Sequence, residues 1–341
     1  MKKIIISGGN GFIGTNLIIK LLEDKKNRIL NIDKLSYCSN SFLFKKHHKN
    51  LTNQKIDLLN FDKIKKIIFT FKPDLVFHLA AETHVDVSLT NPHKHYDNNV
   101  KTTLNLLSIL NLALNKKILS KNFKFIHIGT DEIYGDVSFY SKKSFNEKQS
   151  LNPNNPYSAS KAAAVLMVKT WHTNFNFPSI ITNSVNNFGP FQFIEKFIPR
   201  SILLSQNNKM IEVYGKGKNI RTWLSVHDHA DALIYISRKG KIGETYNISS
   251  RYKFSNIDIA KKIKAFLQKN NIKTRIKLVI DRLRHDRQYS INANKLFKLG
   301  WRPKYQFDRQ LKETINWYLS KKNLKFFKNV NDHLFRKGIL K

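Results

Sequence analysis

The fold of this chain is decided by the stretch Lys3-Ile4-Ile5-Ile6-Ser7-Gly8-Gly9-Asn10-Gly11-Phe12-Ile13-Gly14 near its start. The apolar run predicts a buried strand over Lys3–Ser7, and the apolar periodicity after the glycines predicts a helix over Phe12–Leu22. Glycines at a strand-to-helix turn allow a tight bend, bring backbone amides close to an anionic diphosphate and let the helix pack closely on the strand. The stretch therefore predicts the first unit of a dinucleotide-binding fold.

A carboxylate further along the chain supports this prediction. Asp33 lies at the end of the next predicted strand, about 20 residues after the glycines. A carboxylate at this place accepts hydrogen bonds from an adenosine ribose and repels a 2′-phosphate, which favours NAD over NADP. Asp57, at the end of the predicted strand Gln54–Asp57, is a candidate contact for the adenine. For both acids, the alternative is an ordinary turn with an exposed carboxylate.

Strand and helix signals alternate through the first half of the chain. Strands are predicted at Arg28–Ile32, Gln54–Asp57, Leu75–His78, Lys124–Ile128 and Ser179–Ser184, and helices at Phe61–Phe71, Asn98–Leu114 and Tyr157–Phe175. This order is typical of the α/β fold class, as a doubly wound parallel sheet of the Rossmann type.

The second half has shorter and less regular elements, which predicts a smaller C-terminal substrate-binding lobe over the carboxyl edge of the sheet. Helices are expected there at Ile257–Gln268 and Phe307–Leu319. We expect an NAD-binding Rossmann domain over 1–187 to which later segments return, a mainly substrate-binding lobe over 188–330, and a basic tail over 331–341.

The charge of the chain is strongly positive. Sixty Lys and Arg residues against 24 Asp and Glu residues give a formal net charge of +36. Such an excess attracts nucleic acid and other anions. The basic residues are spread along the whole chain rather than gathered in one stripe or tail, so we expect no dedicated nucleic-acid partner.

The composition excludes several classes of protein and of structural site. A hydrophobic content of 41% supplies a real core, and no apolar run approaches the length of a membrane span. Cys38 is the single cysteine, which excludes intrachain disulfides and cysteine-rich zinc sites. We expect a cytoplasmic protein without membrane partners.

A tyrosine and a lysine share one helix face in Tyr157-Ser158-Ala159-Ser160-Lys161, just after Pro156. A free tyrosine has a pKa of about 10 and is a poor base at neutral pH. A nearby ammonium and a positively charged nicotinamide both favour the phenolate, so they are expected to lower that pKa. A surface tyrosine beside a solvated lysine is the alternative, and the upstream glycine turn favours a catalytic Tyr157 and Lys161.

With this pair in place, the chain resembles the extended short-chain dehydrogenase/reductase superfamily, and within its nucleotide-sugar branch the dTDP-glucose 4,6-dehydratases. The resemblance runs from residue 3 to about residue 320. Besides the glycine turn and 156–161, it is carried by Asn31-Ile32-Asp33-Lys34-Leu35-Ser36-Tyr37, His78-Leu79-Ala80-Ala81-Glu82-Thr83-His84-Val85-Asp86, Thr130-Asp131-Glu132-Ile133-Tyr134-Gly135, Asn186-Asn187-Phe188-Gly189-Pro190 and His285-Asp286-Arg287.

The resemblance implies a hydro-lyase that uses NAD as a returning cofactor. Tyr157 would take the proton of the sugar 4-hydroxyl while C4 is oxidised, and Thr130 would hold the 4-oxygen. Glu132 would then remove the C5 proton, and a protonated Asp131 would help the 6-hydroxyl to leave as water. Two neighbouring carboxyls can do this only if their pKa values are separated. For the acids alone, solvated charge is the alternative.

The resemblance also implies the binding residues and partners. The cofactor set is Gly8, Gly11, Phe12, Ile13, Gly14, Asp33, Lys34, Leu35, Ser36, Asp57, Leu58, Leu79, Ala80, Ala81, Thr83, Asn98, Tyr157, Lys161 and Asn187. The substrate set is His84, Thr130, Asn186, Glu195, Lys196, Phe197, Tyr214, Arg221, Asn256, Asp281, Arg282 and His285, with Lys196 and Arg221 as partners for a diphosphate. The implied substrate is dTDP-glucose, for dTDP-rhamnose and surface polysaccharide. A homodimer through Asn98–Leu114 and Tyr157–Phe175 is expected.

The sequence departs from the family pattern at three places. Gly129 stands where serine is usual, Thr222 where aspartate is usual, and Leu283-Arg284 where a Pro-Gly turn is usual. The last change alters the allowed backbone angles beside the expected nucleotide site and puts the base preference in doubt.

Two further readings of the sequence concern metal binding and loss of catalysis. His227-Asp228-His229 with Asp231 has the composition of a metal cluster, but the resemblance makes it the start of a helix with Asp228 as cap, and no metal is expected. The alternatives for the whole chain are another nucleotide-sugar epimerase or dehydratase, or a non-catalytic NAD- or nucleic-acid-binding protein.

Overall fold

The computed structural model describes residues 2–45, 47–281 and 285–334. Strands are β1 Lys2–Ser7, β2 Asn27–Asp33, β3 Leu51–Lys55, β4 Leu75–His78, β5 Lys124–Thr130, β6 Ser179–Ser184, β7 Asn186–Phe188, β8 Ile211–Tyr214, β9 Ile220–Ser225, β10 Thr245–Ile248, β11 Lys253–Ser255 and β12 Ile276–Val279. Helices are α1 Phe12–Leu21, α2 Phe42–Lys45, α3 Phe61–Phe71, α4 Val85–Thr90, α5 Pro92–His95, α6 Thr102–Asn115, α7 Pro156–Phe175, α8 Phe197–Gln206, α9 Val226–Lys239, α10 Asn256–Lys269, α11 Asn294–Lys298, α12 Phe307–Leu319, α13 Lys321–Leu324 and α14 Val330–Leu334.

The main sheet has seven parallel strands in the order β10-β6-β5-β4-β1-β2-β3. Its central strands are apolar because helices cover both faces, and Ile5, Phe77 and Ile126 are almost completely buried. From β1, the next strands in the chain, β2 and β3, are added on one side of the sheet, whereas β4 and the later strands are added on the other side. In sheets of this kind, ligands bind at such a reversal, beyond the carboxyl ends of the strands.

A smaller lobe lies beyond the carboxyl end of β6. It contains the three-stranded sheet β11-β9-β7 and the parallel pair β12-β8, which pack with α8, α10 and α12. Its own apolar cluster includes Ile198, Trp223, Ile259, Leu311 and Tyr318. The chain returns to the main sheet through α9 and β10, which pairs with β6.

Most predicted elements lie within a residue or two of those observed, and the largest difference is at β3. We predicted the third strand at Gln54–Asp57, but it spans Leu51–Lys55, and its register pairs Asp33 with Lys55. The strand is half-exposed at the edge of the sheet, so its apolar pattern was a weak guide. Asp57 consequently lies in the turn beyond the strand, where its Oδ1 accepts from Leu59 N at 2.9 Å.

The predicted helix Asn98–Leu114 is observed as two consecutive elements. A π-helical turn over Tyr96–Lys101 precedes α6 and packs against α7. Single π-helical turns occur frequently at functional sites, and Asn98 on this turn lines the cavity described below. Within the described ranges, no helix has the length and apolar character of a membrane span.

Candidate active site

One cavity runs along the carboxyl ends of the central strands. Of the predicted cofactor residues, all except Leu35 line it, as do the predicted catalytic residues Thr130, Asp131, Glu132, Tyr157 and Lys161. Leu35 is turned into its own loop, with a φ of 58° and its amide donating to Asp33 Oδ1 at 2.7 Å. The structure therefore brings the two predicted sets together in one space, and the roles of the individual residues stay predictions.

The glycine turn is shaped by close backbone approaches. Gly8 has a φ of 75°, and a Cβ on it would lie 2.7 Å from Ala80 in the loop after β4. A Cβ on Gly14 would lie 2.4 Å from Gly8 O, because α1 starts directly against the turn. Any larger residue at these two positions would push apart the loops after β1 and β4, which form this end of the cavity.

Asp33 is held at the end of β2 by its own loop. Its carboxylate accepts from Asn10 N at 2.9 Å, from Leu35 N at 2.7 Å and from Ser39 Oγ at 3.1 Å. Burial raises the pKa of Asp33 from its ordinary range, and these hydrogen bonds oppose that rise. The carboxylate is thus fixed in the wall of the cavity, where it can accept hydrogen bonds from a ligand.

Tyr157 and Lys161 are positioned by the start of α7. Asn155 caps this helix by accepting from Ser158 N at 2.9 Å, and Pro156 occupies the first turn. Lys161 Nζ then donates to Ile128 O at the end of β5, at 2.7 Å. Tyr157 and Lys161 are both buried, and both line the cavity on the same face of the helix.

The expected fall in the pKa of Tyr157 is not found in the chain by itself. Burial raises the pKa of Tyr157 above its ordinary value, nearby Glu132 adds to the rise, and a hydrogen bond with Thr130 opposes it. Lys161 points its ammonium at a backbone carbonyl, and burial lowers its own pKa to about 8. The expected lowering also depends on a positively charged nicotinamide, so it stays a prediction for the protein with its cofactor bound.

The two acids lie on a short 3₁₀ turn, Asp131–Tyr134, that continues directly from β5. Thr130 caps this turn by accepting from Glu132 N at 3.4 Å. Tyr134 anchors the other end, since its hydroxyl donates to Asn247 Oδ1 at 3.0 Å and accepts from Asn183 Nδ2 at 2.9 Å. A rigid turn thus places Asp131 and Glu132 beside Tyr157 in the cavity wall.

The two carboxyls have different surroundings. Burial, together with the charge of Glu132, raises the pKa of Asp131 to about 8, and its Oδ2 has no hydrogen-bond partner among the described residues. Burial also raises the pKa of Glu132, but Arg221, Lys196 and Tyr289 favour its charged form. This difference in surroundings is of the kind that lets one carboxyl of a pair donate a proton and the other accept one, and the two roles stay predictions.

Tyr289 belongs to this site, although no sequence motif predicted it. Its hydroxyl donates to Glu132 Oε2 at 3.3 Å and also contacts Asp286 Oδ2. Its ring lies under the guanidinium of Arg221, 4.3 Å from the ring centroid. The sequence feature that could have indicated Tyr289 is its position two residues after the motif His285-Asp286-Arg287. No spacing rule, however, predicts which residue of that segment faces the acids.

Arg221 stands behind the acids rather than in the wall of the cavity. Its guanidinium donates to Ile220 O at 2.8 Å, to Asp286 O at 3.0 Å and to Arg287 O at 3.4 Å. With these carbonyls as partners, Arg221 fastens the segment that carries Tyr289 and supplies positive charge near Glu132. Its predicted contact with a diphosphate stays a prediction.

Glu195 and Lys196 line the cavity on the side of the smaller lobe, as does Asn186. Lys196 Nζ donates to Thr83 O at 2.9 Å and lies 3.9 Å from Glu195 Oε1. His84 approaches the other oxygen of Glu195, with Nε2 3.5 Å from Oε2. These contacts tie the loop after β4 to the segment before α8.

The remaining predicted substrate residues that the structure describes lie outside the cavity wall. Phe197 begins α8, and Asn256 begins α10 with its amide donating to Asn219 O at 3.0 Å. Asp281 and His285 pair with each other at 2.7 Å, and Tyr214 meets the His285 ring edge-on. Arg282, like Leu283 and Arg284 of the altered turn, lies outside the described residues.

Other residues of the cavity wall were not predicted from the sequence. They are Ile32, Cys38, Ser39, Ile56, Thr102, Ile128, Gly129, Ser184, Val185, Gln192, Phe193 and His229. Several adjoin predicted residues along the chain, so proximity to the motifs was a usable signal for them. His229 had no such signal, since α9 reaches the cavity through its packing on α1 and on the strands β6, β7 and β9.

The stretch His227-Asp228-His229 starts α9 as predicted, but Asp228 is not its cap. Ser225 caps the helix by accepting from His227 N, whereas Asp228 accepts from Lys304 N at 2.8 Å and Tyr305 N at 3.2 Å. The helix begins earlier than the pattern suggested, which turns Asp228 towards the segment before α12. In the part of the chain that the structure describes, no group of three or more metal-ligating side chains is found.

The departure at Gly129 has a structural explanation. A Cβ at this position would lie 2.2 Å from Asn183 Oδ1 and 2.9 Å from Thr182 O. Glycine therefore leaves room for Asn183, which helps to anchor Tyr134 and the turn with the two acids. For Thr222, which is fully buried in β9, nothing in the structure explains the change.

Comparison with known proteins places this site in a family. The family model described as GDP-mannose 4,6 dehydratase matches residues 5–314. The chain belongs to that family. Its match covers the glycine turn, the two acids and the tyrosine-lysine pair, so the predicted membership of the nucleotide-sugar branch is confirmed.

Individual relatives agree over nearly the whole length. The chain is similar to a dTDP-glucose 4,6-dehydratase of Haemophilus influenzae, 37% identical over 333 residues that cover 94% of this chain and 98% of the relative. It is also similar to dTDP-glucose 4,6-dehydratase 1 of Escherichia coli K12, 36% identical over 357 residues, 99% of this chain and 98% of the relative.

A solved structure supports the fold. The dTDP-glucose 4,6-dehydratase of Bacillus anthracis in complex with NAD superposes with a TM-score of 0.85 at 32% identity, covering 97% of this chain and 100% of that chain. The predicted fold class, a doubly wound parallel sheet with a smaller lobe, is confirmed by this similarity and by the strand order.

Proposed function

We propose that this chain dehydrates dTDP-glucose to dTDP-4-keto-6-deoxyglucose with NAD as a cofactor that is regenerated in each cycle. The observation that carries the proposal is the pair of buried acids beside Tyr157 in one cavity. An oxidation at C4 needs only the tyrosine and the cofactor, whereas loss of water needs an acid and a base in addition. Asp131, whose pKa burial raises to about 8, suits the role of the acid, and neighbouring Glu132 suits the role of the base.

The cavity fits the cofactor on features of its own. The turn around Gly8 and Gly11 presents backbone that any Cβ would crowd, as a cradle for a diphosphate requires. Asp33 offers its carboxylate to a ribose, and Tyr157 and Lys161 stand at the nicotinamide end with Asn187. When bound, NAD supplies the acceptor for the hydride of C4 and returns that hydride to C6.

The side chains supply the proton transfers. Tyr157 takes the proton of the 4-hydroxyl, and Thr130, which contacts it, holds the same oxygen. The resulting 4-keto group makes the C5 proton acidic. Glu132 removes this proton and gives it back to C5 when the hydride is added to C6. Asp131, protonated at neutral pH because it is buried beside Glu132, gives its proton to the 6-hydroxyl so that water leaves.

A product assay tests the proposal. Purified protein is incubated with dTDP-glucose, UDP-glucose or GDP-mannose, with and without added NAD, and the 4-keto-6-deoxy product is measured by its absorbance in alkali. We expect product from dTDP-glucose and little from the other two. Product from UDP-glucose or GDP-mannose alone would contradict the substrate, and a 4-epimer without water loss would contradict the reaction.

The same resemblance supports a homodimer. Leu89, Tyr96 and Leu166 are 49%, 58% and 50% exposed, and they lie on α4, the π-helical turn and α7, which pack together. An apolar face of this kind on neighbouring helices suits a second copy of the chain. A deoxysugar product would serve dTDP-rhamnose and surface polysaccharide.

Light scattering tests the dimer. We expect twice the mass of the chain, and Leu166→Glu should shift the protein towards monomer because it buries a charge in the interface. Phe175→Glu, at a 53% exposed position at the end of α7 and half a turn around the helix from Leu166, is the control and should leave the mass unchanged. A monomeric wild type would contradict the proposed dimer.

A further inference from the structure

Tyr37 joins two walls of the cavity that are distant in the sequence. It lies in the loop after β2, between Ser36 and Cys38, which both line the cavity. Its hydroxyl donates to Glu195 Oε1 at 3.2 Å, and its ring packs edge-on against Phe193 with the centroids 5.4 Å apart. Glu195 and Phe193 line the wall that belongs to the smaller lobe. The loop that carries Asp33 is thereby connected to that lobe.

The outer side of Tyr37 is covered by two other elements. His333 in α14 stacks on the ring, with centroids 5.3 Å apart and an interplanar angle of 28°. The ammonium of Lys94 lies 5.2 Å from the ring centroid. Burial raises the pKa of the Tyr37 hydroxyl, and Glu195 adds to the rise, so the hydroxyl remains a hydrogen-bond donor. The ring is thus held from several sides.

The end of the same loop is fastened to the C-terminal segment. Ser41 donates to Phe326 O through its amide at 2.8 Å and through its hydroxyl at 3.1 Å. Phe42 packs edge-on against the ring of Phe326, at 5.0 Å between centroids, and also contacts Phe191. The loop is therefore anchored at its far end, and Tyr37 is the side chain that carries it across to Glu195.

We propose that Tyr37 is a positioning residue that retains the dinucleotide by closing the loop after β2 onto the smaller lobe. This inference rests on the proposed function, because a reaction that returns the hydride to its own product must keep the reduced cofactor until the end. If the reduced cofactor left after the C4 oxidation, the enzyme would have no hydride to return and the sugar would remain oxidised at C4. A contact between the cofactor loop and Glu195 opposes that escape and must break before the cofactor can leave.

The release rate of NADH tests the inference without any sugar. Protein loaded with NADH is diluted into excess NAD, and the loss of bound-NADH fluorescence is followed. Tyr37→Phe removes one hydrogen bond and should speed release about 5-fold. Tyr37→Ala also removes the aromatic anchor and should speed release about 50-fold. Tyr140→Phe and Tyr140→Ala, at a 75% exposed position, are matched controls and should release NADH at the wild-type rate.

A second measurement separates cofactor retention from a merely structural role. The kcat of Tyr37→Ala should fall at low NAD and recover to near the wild-type value when NAD is saturating. Unchanged NADH release in both Tyr37 variants would overturn the inference, as would a kcat that saturating NAD does not restore. Faster release in a protein that fails to dehydrate dTDP-glucose would overturn the proposed substrate and support the role of Tyr37.

Discussion

The two ends of the cavity were predictable to very different degrees. At the cofactor end, residues selected from the glycine turn, from Asp33 and from 79–83 line the cavity together. At the substrate end, Tyr214, Arg221 and Asn256 stand outside the wall, while Tyr289, which was not selected, contacts Glu132. The cofactor end is formed by short segments that directly follow strands. The substrate end is formed by segments that the packing of a separate lobe brings together.

The difference shows where local sequence rules apply. A strand, a glycine turn and a helix fix the positions of their neighbours within a few residues, so the chemistry of each position can be read from the motif. The contact between Arg221 and Tyr289 joins residues 68 positions apart, as their numbers show. We expect substitutions at the two ends to separate cofactor binding from catalysis, and the following experiments test that separation.

The largest effect is expected at Tyr157. Tyr157→Phe removes the base for the 4-hydroxyl and should lower kcat about 1,000-fold while bound NAD is retained, because the ring still fills its place. Tyr246→Phe is a matched control, since Tyr246 is also buried but its hydroxyl accepts from Lys241 N at 3.0 Å, away from the cavity. If Tyr157→Phe lost both bound NAD and turnover, cofactor binding and catalysis would not be separable between the two ends of the cavity.

Asp131→Asn should lower the rate of water loss about 100-fold, again without loss of NAD. The acid acts in its protonated form, so in the wild type kcat should be high at neutral pH and fall as pH rises through about 8. Lys161, with a pKa of about 8, loses its proton in the same range. The fall of kcat with pH should therefore be steeper in the wild type than in Asp131→Asn, and equal slopes would contradict the role of Asp131.

A substitution at the other end should change binding instead. Asp33→Asn should weaken NAD binding about 10-fold and reduce the preference over NADP, because a charged acceptor for the ribose is lost. Titration with each cofactor measures both effects. Asp57→Asn, at a position whose carboxylate also accepts from Leu59 N, should have a smaller effect. A change in the kcat of Asp33→Asn at saturating NAD would show that the cofactor end of the cavity also affects catalysis.

Tyr289→Phe should lower kcat about 5-fold, since it removes one hydrogen bond to Glu132 and keeps the ring under Arg221. The KM for the nucleotide sugar should stay near its wild-type value. A rise in KM with unchanged kcat would mean that Tyr289 binds the substrate rather than tuning Glu132.

The smallest effect concerns the charge. Lys116, Lys261 and Lys269 are exposed, and their joint replacement by glutamine should leave turnover unchanged. Binding to RNA at low salt should weaken and should already be weak at physiological salt. A loss of turnover in the triple variant would show that the net charge of +36 serves the reaction.

The sequence predicted the fold class, a doubly wound parallel sheet, because apolar runs and glycines leave few alternatives for parallel strands joined by helices. It could not show that burial raises the pKa of Tyr157, because that depends on packing by distant segments. The same limit applies to Glu132, where Arg221, Lys196 and Tyr289 oppose the rise of the pKa that burial causes. Charge environments are properties of the assembled site, while motifs specify which residues are there.

The central claim is that Tyr157, Asp131 and Glu132 act on one hexose beside one nicotinamide. It is tested most directly with dTDP-glucose that carries deuterium at C4. We expect the deuterium at C6 of the 4-keto-6-deoxy product of the same enzyme molecule, with no exchange into free NADH. Deuterium that is lost to solvent, or that appears in released cofactor while C6 carries none, would contradict it.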